Sequence, residues 1–224
     1  MRVRLIVNPV AGAGRGRAAA ERLFRALRAK LRAVDLVETL RPGHATEVAS
    51  EDGADCMIAV GGDGSLNEVA TGLAPGRMLA VLPVGTANVV ARELRIPRVP
   101  EAVADLITRR SAVTIDAGLH GARRFLLGAG AGLDAAVVAA MQRRRGRRNA
   151  YWRWVAPTIA TVLRYTYPRM RVEVDGQVLC ENAQYVIVGN CTYSAGFFPS
   201  TPLAKPDDGL LDVCAVERLH PLKI

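Results

Sequence analysis

The chain has 224 residues, of which 50% are hydrophobic and 23% are charged. This composition is typical of a globular protein with a substantial buried core, and it excludes a disordered chain. The net charge of +9 favours partners that carry phosphate, such as a nucleotide, a nucleic acid or an anionic membrane surface. Arginine-rich codon usage would produce the same excess without any partner.

In the first half of the chain, short apolar runs alternate with helical patterns. The apolar runs are continuous, which is typical of strands covered on both faces of a parallel sheet. Strand–helix alternation at this spacing favours right-handed βαβ units. We therefore predict an α/β domain over residues 1–112. Its predicted strands are 3–7, 34–39, 56–60 and 78–82, and its predicted helices are 17–31, 45–50, 66–73 and 88–94.

The pattern changes near residue 112, where several apolar runs begin to alternate with polar residues. Asp175-Gly176 is a typical hairpin turn between two of them. We therefore predict that residues 113–224 form a mostly antiparallel β domain with helical insertions. We expect this domain to be incomplete at the C-terminus, because residues 220–224 resemble the start of a further element. Its predicted strands are 113–116, 124–127, 169–174, 177–180, 185–188 and 210–216, and its predicted helices are 134–144 and 151–165.

The cysteine pattern and the termini bear on the cellular compartment. Cys56, Cys180, Cys191 and Cys214 show no C-x-x-C or metal-ligand spacing and lie among apolar residues, which is typical of buried, reduced thiols. The N-terminus is too soon interrupted by charge to be a signal peptide. The weakly polar run 125–141 contains an acid and many small residues, so it does not predict a membrane span. We expect a cytoplasmic protein that can contact the inner face of a membrane.

Three glycine-containing turns follow predicted strands of the first domain. The first glycine turn is residues 8–12, the second is residues 61–65 and the third is residues 85–88. A turn of this kind, leading from a parallel strand into a helix, presents backbone N–H groups and a helix dipole to an anion. Glycine lets the anion approach without a Cβ in the way. Because such turns lie along one edge of a parallel sheet, together they predict a phosphate-binding site.

Two familiar nucleotide motifs do not account for these turns. The sequence has no G-x-x-x-x-G-K-[ST], so a phosphate-loop NTPase would lack its lysine. Residues 12–16 resemble a dinucleotide fingerprint, but Arg17 stands where a third small residue should allow tight packing.

Asp63, inside the second glycine turn, is an unusual neighbour for bound phosphate. An acid among phosphate-binding amides repels its ligand unless a divalent cation intervenes or the acid accepts a proton. Both roles belong to phosphoryl transfer, in which an aspartate can orient or deprotonate the attacking hydroxyl. The structural alternative is that Asp63 caps the helix that follows it.

These residues resemble a known family. Residues 61–69, Gly-Gly-Asp-Gly-Ser-Leu-Asn-Glu-Val, are similar to the signature of the diacylglycerol kinase catalytic domain, shared by bacterial lipid kinases, eukaryotic diacylglycerol kinases and sphingosine kinases. Five further segments match the family in order along the chain. They are Asn8-Pro9-x-x-Gly12; Thr39 with Gly43-His44-Ala45; Leu82-Pro83-x-Gly85-Thr86-x-Asn88 with Ala91-Arg92; Gly130-x-Gly132-x-Asp134-Ala135; and Asp208-Gly209-Leu210-Leu211-Asp212-Val213.

The resemblance implies an ATP- and Mg²⁺-dependent lipid kinase that phosphorylates a hydroxyl of a membrane lipid, diacylglycerol or a related one. It implies an N-terminal parallel-sheet nucleotide-binding domain followed by a β-rich lipid-substrate domain. Asp63 would act near the γ-phosphate and the lipid hydroxyl, and Asp134 would face the substrate. A metal would be held by Asp208 with backbone oxygens near Lys205 and Leu210. The implied nucleotide-binding residues are Asn8, Gly12, Thr39, Gly61, Gly62, Asp63, Gly64, Ser65, Leu66, Asn67, Gly85, Thr86 and Asn88.

Two departures from the family pattern keep alternatives open. Val89 stands where many members carry an acid of the metal and water network. The family's later catalytic acid, in a D-G-E-like segment, has no counterpart before Ile224, which favours a nucleotide- or membrane-binding module without catalysis. An NAD kinase is a further alternative, since its superfamily shares the G-G-D-G turn, but Asn67-Glu68 after that turn favours the lipid kinase.

A basic cluster in the second half predicts peripheral contact with a membrane. Aromatic side chains beside cations suit a lipid–water interface. The alternative is a solvated basic loop followed by a core helix. We do not expect nucleic-acid binding, because no recognition motif accompanies the cluster, and the sequence indicates no oligomeric state. The cluster comprises Arg143, Arg144, Arg145, Arg147, Arg148, Trp152 and Trp154.

Overall fold

The structure, a computed structural model, describes residues 1–143, 152–194 and 198–218. Its first half contains a four-stranded parallel sheet with the order β2-β1-β3-β4. The strands are β1 (Arg2–Val7), β2 (Ala33–Glu38), β3 (Cys56–Gly61) and β4 (Met78–Pro83). A short 3-10 turn (Ala11–Gly14) precedes the helices α1 (Arg15–Arg28), α2 (His44–Ser50), α3 (Asp63–Gly72), α4 (Val89–Glu93) and α5 (Pro100–Thr108).

Both faces of this sheet are covered, as the continuous apolar strands predict. Alternate residues of β1 point to opposite faces: Leu5 belongs to a core formed with α1 and α5, whereas Ile6 belongs to a core formed with α2, α3 and α4. Leu23 of α1 and Val69 of α3 are among the fully buried side chains of these two cores. Burial of each such side chain contributes about 1.5–3 kcal/mol to the stability of the fold. The two cores therefore hold the sheet edge in a fixed geometry.

The second half is built from antiparallel strands and two helices. Strand β10 is the centre of a three-stranded sheet with the order β11-β10-β7, and β5-β6 and β8-β9 are separate antiparallel pairs. This confirms the predicted fold class. The elements are β5 (Gly118–His120), β6 (Arg123–Phe125), β7 (Gly128–Gly132), α6 (Leu133–Arg143), α7 (Trp152–Arg164), β8 (Met170–Val174), β9 (Gln177–Ala183), β10 (Tyr185–Gly189) and β11 (Asp212–Val216).

Three predicted element assignments were wrong. Residues 113–116 form no strand; instead the backbone N–H of Asp116 donates to the Pro206 carbonyl at 2.7 Å. Of the predicted strand 124–127, only Arg124 and Phe125 lie in β6, and residues 126–127 lie between β6 and β7. Helix α5 was not predicted, although Pro100 at its first position is a typical helix start.

The four cysteines are free, and three of them are buried. Burial raises the pKa of Cys56 and of Cys191 to about 12, so both thiols stay protonated near neutral pH. Within the described ranges, no helix is long and apolar enough to cross a membrane.

Candidate functional site

The three glycine turns meet at the carboxyl edge of the parallel sheet. The backbone N–H of Asn8 donates to the Val60 carbonyl at 3.0 Å, and that of Val84 donates to the Gly61 carbonyl at 3.0 Å. Thr39, at the end of the neighbouring strand, donates its N–H to the Val7 carbonyl at 2.8 Å. Sheet pairing thus continues into the turns, and this places the predicted nucleotide-binding loops side by side.

Two of the glycines are required for contact between the turns themselves. A Cβ on Gly12 would clash with the Val84 carbonyl oxygen, and a Cβ on Gly85 would lie 2.5 Å from the Gly62 Cα. Gly64 differs, because a Cβ there would meet nothing within 4 Å and the residue is exposed. The open space that a ligand can fill therefore adjoins Gly64, whereas Gly12 and Gly85 let the turns pack closely.

Asp63 is the first residue of α3 and follows the N-cap residue Gly62. Its Oδ1 accepts a hydrogen bond of 3.2 Å from the backbone N–H of Val90, the second residue of α4. The carboxylate therefore neutralises the positive end of the next helix, and it does not cap its own helix. Within the described ranges, Asp63 Oδ2 has no hydrogen-bond partner. One carboxylate oxygen is fixed and the other remains available to a ligand.

Asn8 joins the first glycine turn to the second. Its Nδ2 donates to Ser65 Oγ at 3.2 Å, while its Oδ1 accepts from the Val10 N–H at 3.2 Å. Thr39 Oγ1 donates to the Val7 carbonyl at 3.3 Å. Asn8 and Ser65 are therefore bonded directly, and Thr39 is held against the end of β1.

Four of the predicted nucleotide-binding residues are buried: Gly12, Gly61, Leu66 and Asn88. Leu66 is 3% exposed and packs in the core, so its side chain cannot reach a ligand at the surface. Asn88 is also 3% exposed and has a left-handed backbone, with φ of 48°. Its Nδ2 donates to the Gly85 carbonyl at 2.8 Å, whereas its buried Oδ1 has no hydrogen-bond partner among the residues that the structure describes. By contrast, Thr86 is exposed beside the third turn.

Asn67 and Glu68 connect α3 to its surroundings. Asn67 Oδ1 accepts from the backbone N–H of Leu126 at 3.1 Å, and Glu68 Oε2 accepts from the Gly43 N–H at 3.1 Å. Asn67 therefore joins the second glycine turn to the second half of the chain. Glu68 caps α2, for which Gly43 is the N-cap residue.

Arg124 also joins α3 to the second half of the chain. No sequence motif indicated this role. Its Nη1 donates to the carbonyls of Ala70 at 2.8 Å and Leu73 at 2.6 Å, at the end of α3. The Ala70 carbonyl also accepts the backbone N–H of Leu73 at 3.3 Å. Its backbone N–H donates to Thr71 Oγ1 at 3.1 Å. The helix that begins at Asp63 is thus bound at its other end by strand β6.

Asp134 lies on the second half of the chain, as the second residue of α6. Its carboxyl packs against Gly130, where a Cβ would clash with it. Burial raises the pKa of Asp134. Burial also raises the pKa of Tyr185, and the charge of nearby Asp134 raises it further. Within the described ranges, the structure gives no direct contact between Asp134 and Asp63.

The predicted metal-binding segment forms a tight loop. Asp208 Oδ1 accepts from the Leu210 N–H at 3.1 Å, and Asp116 Oδ2 accepts from the Gly209 N–H at 2.7 Å. Lys205 lies at the start of this loop. Within the described residues, no group of three or more His, Cys, Asp or Glu side chains could hold a metal ion.

A cavity of about 200 Å³ adjoins the third turn, between α4 and the segment after β10. The Arg92 guanidinium lies 5.9 Å from the centre of the Tyr193 ring, and Thr192 Oγ1 donates to Glu93 Oε1 at 3.2 Å. Val89 lines the cavity and is 2% exposed, so the position that carries an acid in many family members is here part of the core.

The predicted membrane-contact residues 144–148 lie outside the described residues. Arg143 ends α6, and Trp152 and Trp154 belong to α7. Contact with a membrane remains a prediction.

Comparison with known proteins identifies the two halves. The family model described as the diacylglycerol kinase catalytic domain matches residues 2–120. The model described as the YegS C-terminal NAD kinase beta sandwich-like domain matches residues 128–224. A diacylglycerol kinase of Staphylococcus aureus (strain JH9) is 32% identical over 181 residues, covering 77% of this chain and 56% of that protein. The chain therefore spans about half the length of the curated relatives it matches.

Solved structures agree with this result. The crystal structure of a diacylglycerol kinase from Bacillus anthracis (strain Sterne) has a TM-score of 0.74 at 31% identity and covers 96% of this chain and 73% of that one. A second solved chain from that organism has a TM-score of 0.75 at 31% identity, covering 96% and 75%. The predicted family resemblance is confirmed: the chain belongs to the diacylglycerol kinase catalytic domain family.

Proposed function

We propose that this chain binds ATP at the carboxyl edge of its parallel sheet and that the whole protein transfers the γ-phosphoryl group to a hydroxyl of a membrane lipid. The single observation that carries the proposal is the convergence of three glycine turns around Asp63. Family membership and relatives whose names include diacylglycerol kinase support diacylglycerol, or a lipid like it, as the acceptor.

The hydrogen bond to α4 gives Asp63 a defined orientation. With Oδ1 held by the Val90 N–H, Oδ2 can accept the proton of an attacking hydroxyl or meet a cation that neutralises phosphate. An acid already turned towards the reaction saves the cost of ordering it in the transition state. We therefore assign Asp63 the catalytic role and Asp134 a role on the substrate side.

The residues present fit the nucleotide and the metal that the family implies. Exposed Gly64 and Thr86 border open space beside backbone N–H groups at the start of α3, which suits phosphate oxygens. The Asp208 carboxylate, with the Lys205 and Leu210 carbonyls, is an oxygen donor set of the kind that Mg²⁺ prefers. Bound Mg²⁺ would neutralise negative charge or hold the loop in place.

We further propose that the domain boundary lies at residues 112 and 113. Residues 1–112 would bind nucleotide, and residues 113–224 would bind the lipid. Helix α5 ends at Thr108 and β5 begins at Gly118, which supports a boundary between them.

The function is tested by following labelled γ-phosphate from ATP onto diacylglycerol or a sphingoid base in mixed micelles, with NAD as an alternative acceptor. The full open reading frame should be used. Asp63→Asn keeps the hydrogen-bond acceptor for Val90 but removes the base, so turnover should fall by about 10²–10⁴-fold. Asp175→Asn, in the exposed turn between β8 and β9, is the matched control.

Asp63→Asn should retain the wild-type circular dichroism spectrum. A loss of turnover then reflects the chemical step and not a loss of the fold. Transfer to none of the lipids, or transfer to NAD alone, would contradict the lipid kinase proposal. Wild-type turnover in Asp63→Asn would contradict the role of Asp63 and leave it a cap for α4.

A further inference from the structure

A second cavity lies at the opposite edge of the parallel sheet from the glycine turns. Its volume is about 800 Å³, within the range of small-molecule sites. It is formed where β1, β3 and β4 begin, together with the residue pair that follows α5. The lining residues are Met1, Arg2, Gly53, Ala54, Asp55, Gly76, Arg77, Met78 and Arg110.

Three arginines from separate segments line this cavity: Arg2, Arg77 and Arg110. Arg77 is held in place, since its Nη1 donates to the Glu51 carbonyl at 2.8 Å and its Nη2 lies 2.5 Å from Asp52 Oδ1. The side chains of Arg2 and Arg110 are exposed, and neither forms an ion pair with another described residue. Arg2 and Arg110 thus bring two uncompensated positive charges to one concave surface.

One acid, Asp55, is among the lining residues, and its carboxylate is already engaged. Its Oδ2 accepts from the backbone N–H of Arg2 at 2.7 Å and lies 3.9 Å from the amino group of Met1. Asp55 therefore balances the N-terminal charge and leaves the guanidinium of Arg2 for another partner.

Two glycines with left-handed backbone line the cavity. Gly53 and Gly76 have positive φ, of 109° and 78°, and a Cβ on Gly76 would meet nothing within 4 Å. Arg2 Nη1 lies 3.0 Å from the position that a Cβ on Gly53 would take, so a larger residue there would displace the guanidinium. Arg110 also has a left-handed backbone, with φ of 53°, a conformation that costs energy in a residue with a side chain.

We propose that this cavity binds a small, soluble anion that carries phosphate. Guanidinium groups recognise phosphate through charge-assisted, geometrically matched hydrogen bonds. A membrane surface is the less suitable source of that phosphate, because none of the large exposed hydrophobic residues in the described part of the chain lines the cavity. The site is independent of the proposed kinase activity and is separated from the glycine turns by the length of a strand, about 20 Å.

The test is a titration of the protein with inorganic pyrophosphate in metal-free buffer, followed by the amide resonances of Gly53 and Gly76 in ¹H–¹⁵N spectra. The variant Arg2→Gln with Arg110→Gln removes both free charges and should weaken the response of these amides by about tenfold or more. The matched control is Arg98→Gln with Arg123→Gln, which removes two exposed charges outside the cavity.

The proposal predicts saturable shifts at Gly53 and Gly76 in the wild type and the control, and their loss in the cavity variant. Shifts confined to the glycine turns would show that pyrophosphate uses the nucleotide site and would overturn it. Equal affinity in the two double variants would also overturn it. Unchanged resonances from the cores of β1 and β3 establish that the cavity variant is folded.

Discussion

At the scale of single residues, the two acids of the candidate site differ in their surroundings. Asp63 is oriented by an N–H group at the start of a helix, whereas Asp134 is half-buried and its pKa is raised. The sequence indicated both residues but neither environment, because Val90 and Tyr185 are brought to them by tertiary structure. The sequence likewise did not indicate that Asn67 Oδ1 accepts a hydrogen bond from the Leu126 N–H. Leu66 fits the helical spacing of residues that face a core, and the structure places it there.

Substitutions of glycine in the second and third turns can distinguish an effect on ligand binding from an effect on the stability of the fold. Gly64→Ala places its Cβ in open space, so the free energy of unfolding should be unchanged or slightly higher. Its affinity for ATP should fall by about tenfold or more if phosphate approaches this residue. Gly85→Ala should instead destabilise the fold by about 1–3 kcal/mol, because the Cβ would overlap Gly62.

Calorimetric titration with ATP and urea unfolding measure the two quantities on each variant. Undiminished ATP affinity in Gly64→Ala would contradict the placement of phosphate at Gly64. Wild-type stability in Gly85→Ala would show that the turns can separate without cost.

The raised pKa of Asp134 predicts a pH-dependent effect on stability. The unfolded chain releases this proton near the ordinary aspartate value of 3.8, and the folded chain releases it at higher pH. The free energy of unfolding therefore falls as pH rises from the ordinary value through the folded one. Asp134→Asn removes this penalty, so the variant should gain stability relative to wild type at neutral pH.

Urea midpoints at acidic and neutral pH measure this effect, with Asp175→Asn in an exposed turn as the control. A stability difference between Asp134→Asn and wild type that is equal at both pH values would contradict the assignment. The proposed role of Asp134 on the substrate side would make this an example of the general trade-off between stability and function.

At the scale of elements, α3 connects the two halves of the chain. It begins with Asp63 in the candidate site and ends with carbonyls bound by Arg124 of β6. The sequence predicted this helix and the four parallel strands well, because continuous apolar runs between glycine turns have few alternative structures. It failed at residues 113–116, where an apolar–polar alternation is not paired with any strand and Asp116 bonds to a distant loop.

Arg124→Ala tests the connection at the end of α3. The change removes the Arg124 guanidinium from the carbonyls of Ala70 and Leu73, and the free energy of unfolding should fall by about 1–3 kcal/mol. The Ala70 carbonyl keeps its bond from the Leu73 N–H, so most of the loss is expected at the Leu73 carbonyl. The neighbouring Arg123→Ala, an exposed position on the same strand, should change it by no more than about 0.5 kcal/mol. Urea unfolding compares them, and equal effects would show that the contacts with α3 contribute nothing specific.

At the scale of the whole molecule, an α/β half carries the glycine turns and an antiparallel half carries Asp134. The order of motifs along the sequence predicted this architecture, and comparison with relatives confirmed it. The way in which the halves join was not predictable, because Asn67–Leu126 and Thr192–Glu93 bonds link residues far apart in sequence. The second cavity was equally invisible in the sequence, since its arginines come from separate segments.

If the three glycine turns form one ATP site, ATP should affect all three of them, and a ¹H–¹⁵N titration of the protein with ATP measures this. Saturable shifts are expected at the amides of Gly12, Gly64 and Thr86 together, with one common dissociation constant. Shifts at only one of these turns, or none at any of them under conditions in which ATP binds elsewhere on the protein, would contradict a single ATP site.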